Sequence, residues 1–303
     1  MDIAIMIEGQ NGLNWKRWVN IASAVEDLGF AGLFRSDHFT NINPPDIDSL
    51  ELWVSLTWLA SHTRRIQFGP LVTPISFRHP VMTARMASAV DDLSGGRLVL
   101  GLGAGWQERE HAMYGFNLLG MKERFIRLEE GLQIIKLLFE KKEPFDFAGD
   151  YFQVKEAIML PSPQKSGGPP ILIGGIGKKH SLPLAASYAD EWNSMFLDKE
   201  KFMELNSEMD RLLRASGRGP ASLKRSMMTG LRFGRTRDEL SAILAATNQS
   251  IQALRTRGII VGVGIEIKEQ LHELESAGLE RIMLQWLDLD NLDGLAALAK
   301  VVL

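Results

Sequence analysis

Residues able to handle protons gather behind short apolar runs. The clearest group is Arg35-Ser36-Asp37-His38, directly after Ala31-Gly32-Leu33-Phe34. An imidazole changes charge near neutral pH and can carry a proton to or from a reacting group. Asp37 and His38 are therefore the candidate catalytic pair; the plainer alternative is a helix-capping Asp beside a surface His. Two glycine-rich stretches follow other runs, Gly103-Ala104-Gly105-Trp106 and Gly174-Gly175-Ile176-Gly177. The second could bring backbone amides to an anion at the start of a helix, where the dipole favours negative charge. Lys178 and Lys179 stand just beyond it. The bland reading is a turn whose lysines face water.

Better-known motifs fail at single positions. A dinucleotide fingerprint opening at Gly101 needs a third glycine where Trp106 stands. A phosphate loop ending Gly177-Lys178 needs Gly at 172 and Ser or Thr at 179, where the chain has Leu172 and Lys179. No Gly-x-Ser-x-Gly elbow occurs. Glu110-His111 and His62 lack partners at ligand spacing, so they read as surface or capping residues and no metal is expected. The absence of Cys removes disulfides, thiolate metal sites and cysteine nucleophiles. Trp106 and Trp286 close two of the apolar runs, where an aromatic wall suits a ring-shaped ligand; Glu8 follows another.

These residues need a scaffold, and the chain's rhythm supplies one. Eight β-type runs are expected: Ile3–Ile7, Ala31–Phe34, Ile66–Val72, Arg97–Leu102, Ile171–Ile173, Glu191–Met195, Leu223–Leu231 and Arg281–Trp286. Helical spacing falls between them, as at Trp15–Leu28, Pro80–Ser94, Glu123–Lys141, Lys199–Ala215 and Arg237–Gln252. Such alternation predicts a parallel α/β fold, and the count favours a closed (β/α)8 TIM barrel over a doubly wound open sheet. Excursions are expected near 144–165 and 250–270, within a single domain over 1–303. In either architecture, ligands sit at the carboxyl ends of the strands, where the groups above lie.

Composition narrows the function classes. The 303 residues are 45% hydrophobic and 23% charged, close to the globular average. With 34 basic and 37 acidic residues, there is no sign of the basic face that nucleic acid requires. No apolar run is long enough for a membrane helix, and a cytoplasmic protein acting on small molecules is expected.

Together these segments resemble the bacterial luciferase-like family, in its branch of deazaflavin (coenzyme F420)-dependent oxidoreductases. The resemblance rests on Phe34-Arg35-Ser36-Asp37-His38-Phe39, on the block from Gly69 to Pro80, and on Gly95 through Trp106. It continues in Lys122-Glu123-Arg124-Phe125, Pro170 through Gly175, Tyr188-Ala189-Asp190 and Arg281 through Trp286. It implies a (β/α)8 barrel with a flavin-type ring at its mouth, His38 beside the reactive ring and Asp37 in support. It also implies a non-proline cis peptide at Pro70-Leu71 or its neighbour, with Leu71 and Thr73 against the cofactor. Gly103, Ala104 and Gly105 would approach the ring or its side chain, and Gly174, Gly175, Ile176 and Gly177 the phosphate. Glu8, Trp106 and Trp286 would line the substrate pocket.

Two departures matter. Sugar-phosphate dehydrogenases of this family carry an acidic residue where Trp106 stands, so an apolar or aromatic substrate is expected. Where relatives often read Gly-Thr-Pro-Glu, this chain has Gly262-Val263-Gly264-Ile265-Glu266. The alternatives within reach are an FMN-dependent monooxygenase and a non-catalytic flavin-binding barrel. A homodimer is a family expectation.

Overall fold

The computed structural model describes residues 1–247 and 249–303. Its first half runs β1 (Asp2–Ile7), α1 (Trp15–Leu28), β2 (Gly32–Arg35), α2 (Leu52–His62), β3 (Gln67–Pro70), β4 (Thr73–Pro74) and α3 (Pro80–Ser94). Next come β5 (Leu100–Gly103), α4 (Glu108–Tyr114), α5 (Met121–Glu140), β6 (Phe145–Ala148), β7 (Gln153–Ala157) and β8 (Ile171–Gly174). Then follow α6 (Ser181–Tyr188), β9 (Glu191–Met195), α7 (Lys199–Ala215), β10 (Lys224–Phe233), α8 (Arg237–Thr247) and α9 (Ile251–Thr256). The chain closes with β11 (Ile260–Gly262), α10 (Gly264–Ser276), β12 (Arg281–Gln285) and α11 (Leu292–Val302).

The main sheet is parallel, in the order β3-β2-β1-β12-β10-β9-β8-β5-β4. Its two ends meet: the Phe68 amide donates to Arg97 O at 3.2 Å, and Val99 N–H donates to Phe68 O at 2.8 Å. The result is the expected eight-staved α/β barrel, because β3 and β4 are two halves of one stave. β3 pairs with β2 and β4 pairs with β5. The third predicted strand, Ile66–Val72, is thus interrupted rather than continuous. The interruption is a bulge at Leu71-Val72, whose peptide is cis, one bond beyond Pro70-Leu71. The two backbones run very close here: a Cβ on Gly69 would collide with the Val99 carbonyl oxygen.

Both expected excursions are present. In the first, β6 and β7 form an antiparallel hairpin. In the second, β11 prolongs the sheet beside the end of β10, Leu231 opposite Ile260, as a strand the sequence reading omits. The predicted helix Arg237–Gln252 is divided into α8 and α9, with Asn248 outside the described residues. α9 starts on its own cap, Ser250 Oγ accepting from Ala253 N–H at 3.1 Å.

The apolar core lies mainly between strands and helices, with Trp18, Phe30, Leu56 and Leu132 among its fully buried members. A smaller cluster inside the barrel includes Met6, Phe34, Val99, Leu172 and Met283. At the amino ends of the strands, buried Arg281 donates to Glu191 at 2.8 Å and to Gln67, and its guanidinium lies 5.4 Å from the Phe34 ring centre. This end is plugged by charge, which leaves the carboxyl ends as the open mouth.

Candidate functional site

Most polar side chains at the mouth are held by hydrogen bonds. After β2, Ser36 Oγ accepts from the Gly9 amide at 2.8 Å and donates to Gln10 Oε1 at 2.7 Å. Asp37 is 3% exposed and faces Arg78 at 2.5 Å, while Thr73 Oγ1 donates to it at 2.7 Å. Burial pushes the Asp37 carboxyl above its usual range, and Arg78, Thr73 and Arg35 pull it back only in part. Burial lowers Arg78, but Asp37 and Glu51 more than restore it, so the guanidinium stays charged.

His38 points into the mouth. Its Nδ1 meets Glu110 Oε1 at 2.7 Å, and the same carboxylate accepts the Phe39 amide at 3.0 Å. Glu110 is 1% exposed, set inward by α4. A carboxylate oxygen takes a proton donor, so Nδ1 carries a hydrogen and Nε2 is the atom left for a ligand. Burial pulls the imidazole down, yet the hydrogen bond and charge of Glu110, with Glu8 and Asp37, outweigh it. The pKa of His38 therefore lies above the ordinary histidine range. Trp106 stands edge-on to the imidazole, 5.4 Å between ring centres.

A second histidine braces the loop beneath. His111 Nδ1 lies 2.7 Å from Gln107 O, so that nitrogen donates, and Nε2 meets Ser76 Oγ at 2.7 Å. Glu110 and His111 are thus buried working residues. The surface or capping role expected for them fails because α4 turns this face onto the barrel mouth.

Between these groups opens a cavity of about 600 Å3, a size suited to a small organic ligand. Of the predicted site residues, Glu8, His38, Leu71, Gly103, Ala104, Gly105, Gly174 and Trp106 line it. Asp37 and Thr73 lie outside the lining and are bound to each other, Thr73 Oγ1 donating to the Asp37 carboxylate. Gly175, Ile176 and Gly177 continue past the lining. The Gly175 N–H is already spent on Asn193 O at 2.9 Å, a consequence of the β8–β9 ladder running one residue further. Lys178 does not add free charge, since Glu204 binds it at 2.6 Å. Glu204 also pairs with Lys201, and the two lysines hold its carboxyl down at about 2. Trp286 is 8% exposed and packs in the core rather than lining the cavity, with its backbone N–H tied to Met6 O.

Several lining residues were not foreseen. Gln285 donates to Glu8 at 2.8 Å. Asn193 donates to Ser226 Oγ at 2.9 Å. Arg124 donates to Gly105 O at 2.9 Å, while its Nε is buried without a protein partner. Leu71, Val72, Phe125, Leu128, Met195 and Met228 make much of the remaining wall apolar. Gln285 and Asn193 carry one usable signal: each lies in or at the end of a run counted as a strand.

Among the described residues, no group of three or more His, Cys, Asp or Glu could hold a metal ion. No described helix is long and apolar enough to cross a membrane. The arrangement offers an imidazole on a largely apolar pocket whose rim includes Gly103, Gly105 and Gly174.

Comparison with known proteins places this geometry. The chain is 32% identical over 209 residues to an F420-dependent hydroxymycolic acid dehydrogenase of Mycobacterium tuberculosis, covering 68% of this chain and 56% of that protein. It is 29% identical over 214 residues to an F420-dependent glucose-6-phosphate dehydrogenase of Amycolatopsis mediterranei, covering 69% and 60%. The matches therefore span less than two thirds of these relatives' own length. A solved F420-dependent secondary alcohol dehydrogenase, in complex with an F420-acetone adduct, shares the fold. Its TM-score is 0.84 at 17% identity, covering 99% of this chain and 98% of that one. The model of the luciferase-like monooxygenase family matches residues 1–300, and the chain belongs to that family.

Proposed function

We propose that this protein is an F420-dependent oxidoreductase that transfers a hydride between the deazaflavin and a small organic substrate. One observation carries the reading: His38, clamped by Glu110 at 2.7 Å, presents Nε2 to a cavity of about 600 Å3 rimmed by Gly103, Gly105 and Gly174. When bound, the deazaflavin supplies a two-electron, hydride-carrying carbon. The residues present fit such a group. The Leu71-Val72 bulge gives an apolar surface for a planar ring, and Gly103-Ala104-Gly105 leaves room along its edge. Ile176 and Gly177, at the entry to α6, are the amides we assign to the phosphate, with Gly174 at the inner end.

The chain's own part is to hold and move one proton. His38 Nε2 takes the hydroxyl proton when an alcohol is oxidised and returns it when a carbonyl is reduced. Glu110 steadies the imidazolium formed, and Asp37, locked to Arg78 and Thr73, fixes the segment that carries His38. Trp106 and the apolar wall keep water from the reacting atoms. We take residues 1–303 as one functional unit, acting in the cytoplasm on a small molecule. A homodimer fits the exposed apolar face of α1 and α2, where Trp15 is 42% and Val54 57% exposed; analytical ultracentrifugation tests it.

The functional test is loss of F420 absorbance on mixing with a panel of simple alcohols. Wild-type protein is expected to bleach the coenzyme with at least one carbinol, and His38→Asn to do so about 100-fold or more slowly. Equal rates in the two proteins would remove His38 from the reaction.

A further inference from the structure

The apolar cavity is not the whole of the space at the mouth. Glu8, His38, Trp106 and Gln285 also border a second chamber of about 450 Å3, built against the loops after β1 and β2. Its lining holds neither Lys nor Arg. Arg109, just behind the lining, is held by Asp46 at 2.5 Å and donates to the carbonyl of the lining residue Asn41 at 2.9 Å. At the boundary with His38, Glu8 accepts from Gln10 Nε2 at 3.0 Å and from Gln285 Nε2 at 2.8 Å. Those two amides have each spent a donor on the carboxylate. Beside His38 this leaves the outer lone pairs of Glu8 and the Gln285 carboxamide oxygen as acceptors, with one N–H remaining on each amide.

A ligand that reaches the Glu8 carboxylate must bring a donor to it, and no Lys or Arg lines the chamber to pair with a phosphate. Resting on the function proposed above, we infer that the second chamber is the substrate subsite. It selects an uncharged carbinol that carries an additional hydroxyl close to the reacting carbon. That hydroxyl donates to Glu8, held in place by Gln10 and Gln285. The reacting carbinol gives its hydrogen as hydride to the oxidised deazaflavin and its hydroxyl proton to His38 Nε2, leaving a carbonyl. Phosphate esters are refused. The subsite is therefore polar, where Trp106 alone suggested an apolar or aromatic substrate; Trp106 supplies its apolar wall and Glu8 reads the hydroxyl.

Three cyclohexyl probes test this: trans-cyclohexane-1,2-diol, cyclohexanol and cyclohexyl phosphate. Each is titrated calorimetrically into wild type, Glu8→Gln and Gln285→Met, both without coenzyme and with F420 added. The diol is expected to bind wild type about tenfold more tightly than cyclohexanol, with the phosphate weakest. Glu8→Gln closes the gap between diol and cyclohexanol and relieves the disadvantage of the phosphate; Gln285→Met narrows the gap. Tightest binding of the phosphate, or a diol preference unchanged in Glu8→Gln, overturns the inference. F420 binding in the same samples separates the two claims. Coenzyme bound with the wrong probe order overturns the subsite alone. Coenzyme unbound overturns the proposed function, and the order in coenzyme-free protein still decides the subsite.

Discussion

His38 and Glu110 set the protonic behaviour of the site, and their coupling has a definite sign. Unfolded, His38 titrates near 6.5; folded, it titrates higher, because Glu110, Glu8 and Asp37 outweigh burial. The stability gained from this pair is therefore full below 6.5 and is lost as pH rises through the folded value. In the proposed alcohol oxidation Nε2 must be neutral, so the rate is expected to rise with pH through that same elevated midpoint. Glu110→Gln keeps the burial and removes the charge, and the midpoint of the pH–rate profile is expected to move down; an unmoved midpoint would show that another group titrates. Asp37-His38 was legible in the sequence because both follow a short strand. Glu110 was not, since it lies 72 residues from His38 in a short helix and reads as a surface carboxylate until the barrel brings the two together.

At the scale of elements, the site depends on how tightly the strand ends pack. Gly105 has φ +82°, and a Cβ there would lie 2.7 Å from Ser76 Oγ, the partner of His111. Gly105→Ala is expected to cost about 1–2 kcal/mol from the left-handed backbone alone, and more if the Ser76–His111 hydrogen bond parts; urea unfolding measures it. Helices with clear caps were read closely. Pro80–Ser94 ends on Gly95 with φ +71°, and Lys199–Ala215 opens on Asp198, which caps the Lys201 amide at 2.8 Å. Spacing alone reads Ile66–Val72 as one strand, whereas the family resemblance places the cis peptide at Pro70-Leu71 or its neighbour, and it lies at Leu71-Val72. The bulge is enforced from outside, where Gly69 and Gly101 let neighbouring backbones close in.

Across the whole molecule, the two ends of the barrel are built differently. One end carries the candidate site and the other is sealed by Arg281, Glu191 and Gln67. Arg281→Met would leave the Glu191 carboxylate, 4% exposed, without its cation. A loss of about 3–5 kcal/mol in denaturant unfolding is expected, with little change in ligand affinity at the opposite end. The eight-fold rhythm was legible because each strand is a short apolar run followed by a helix. β11 was not, because its three residues fall where one more strand is unnecessary for closure. The central claim, that the mouth is made for a deazaflavin, is tested most directly by fluorescence titration of the purified protein with F420 and, side by side, with FMN. The account predicts saturable binding of F420 in preference to FMN, weakened when Gly103 is replaced by Val. Preference for FMN would move the protein to the flavin monooxygenases of its family, and binding of neither would contradict the account outright.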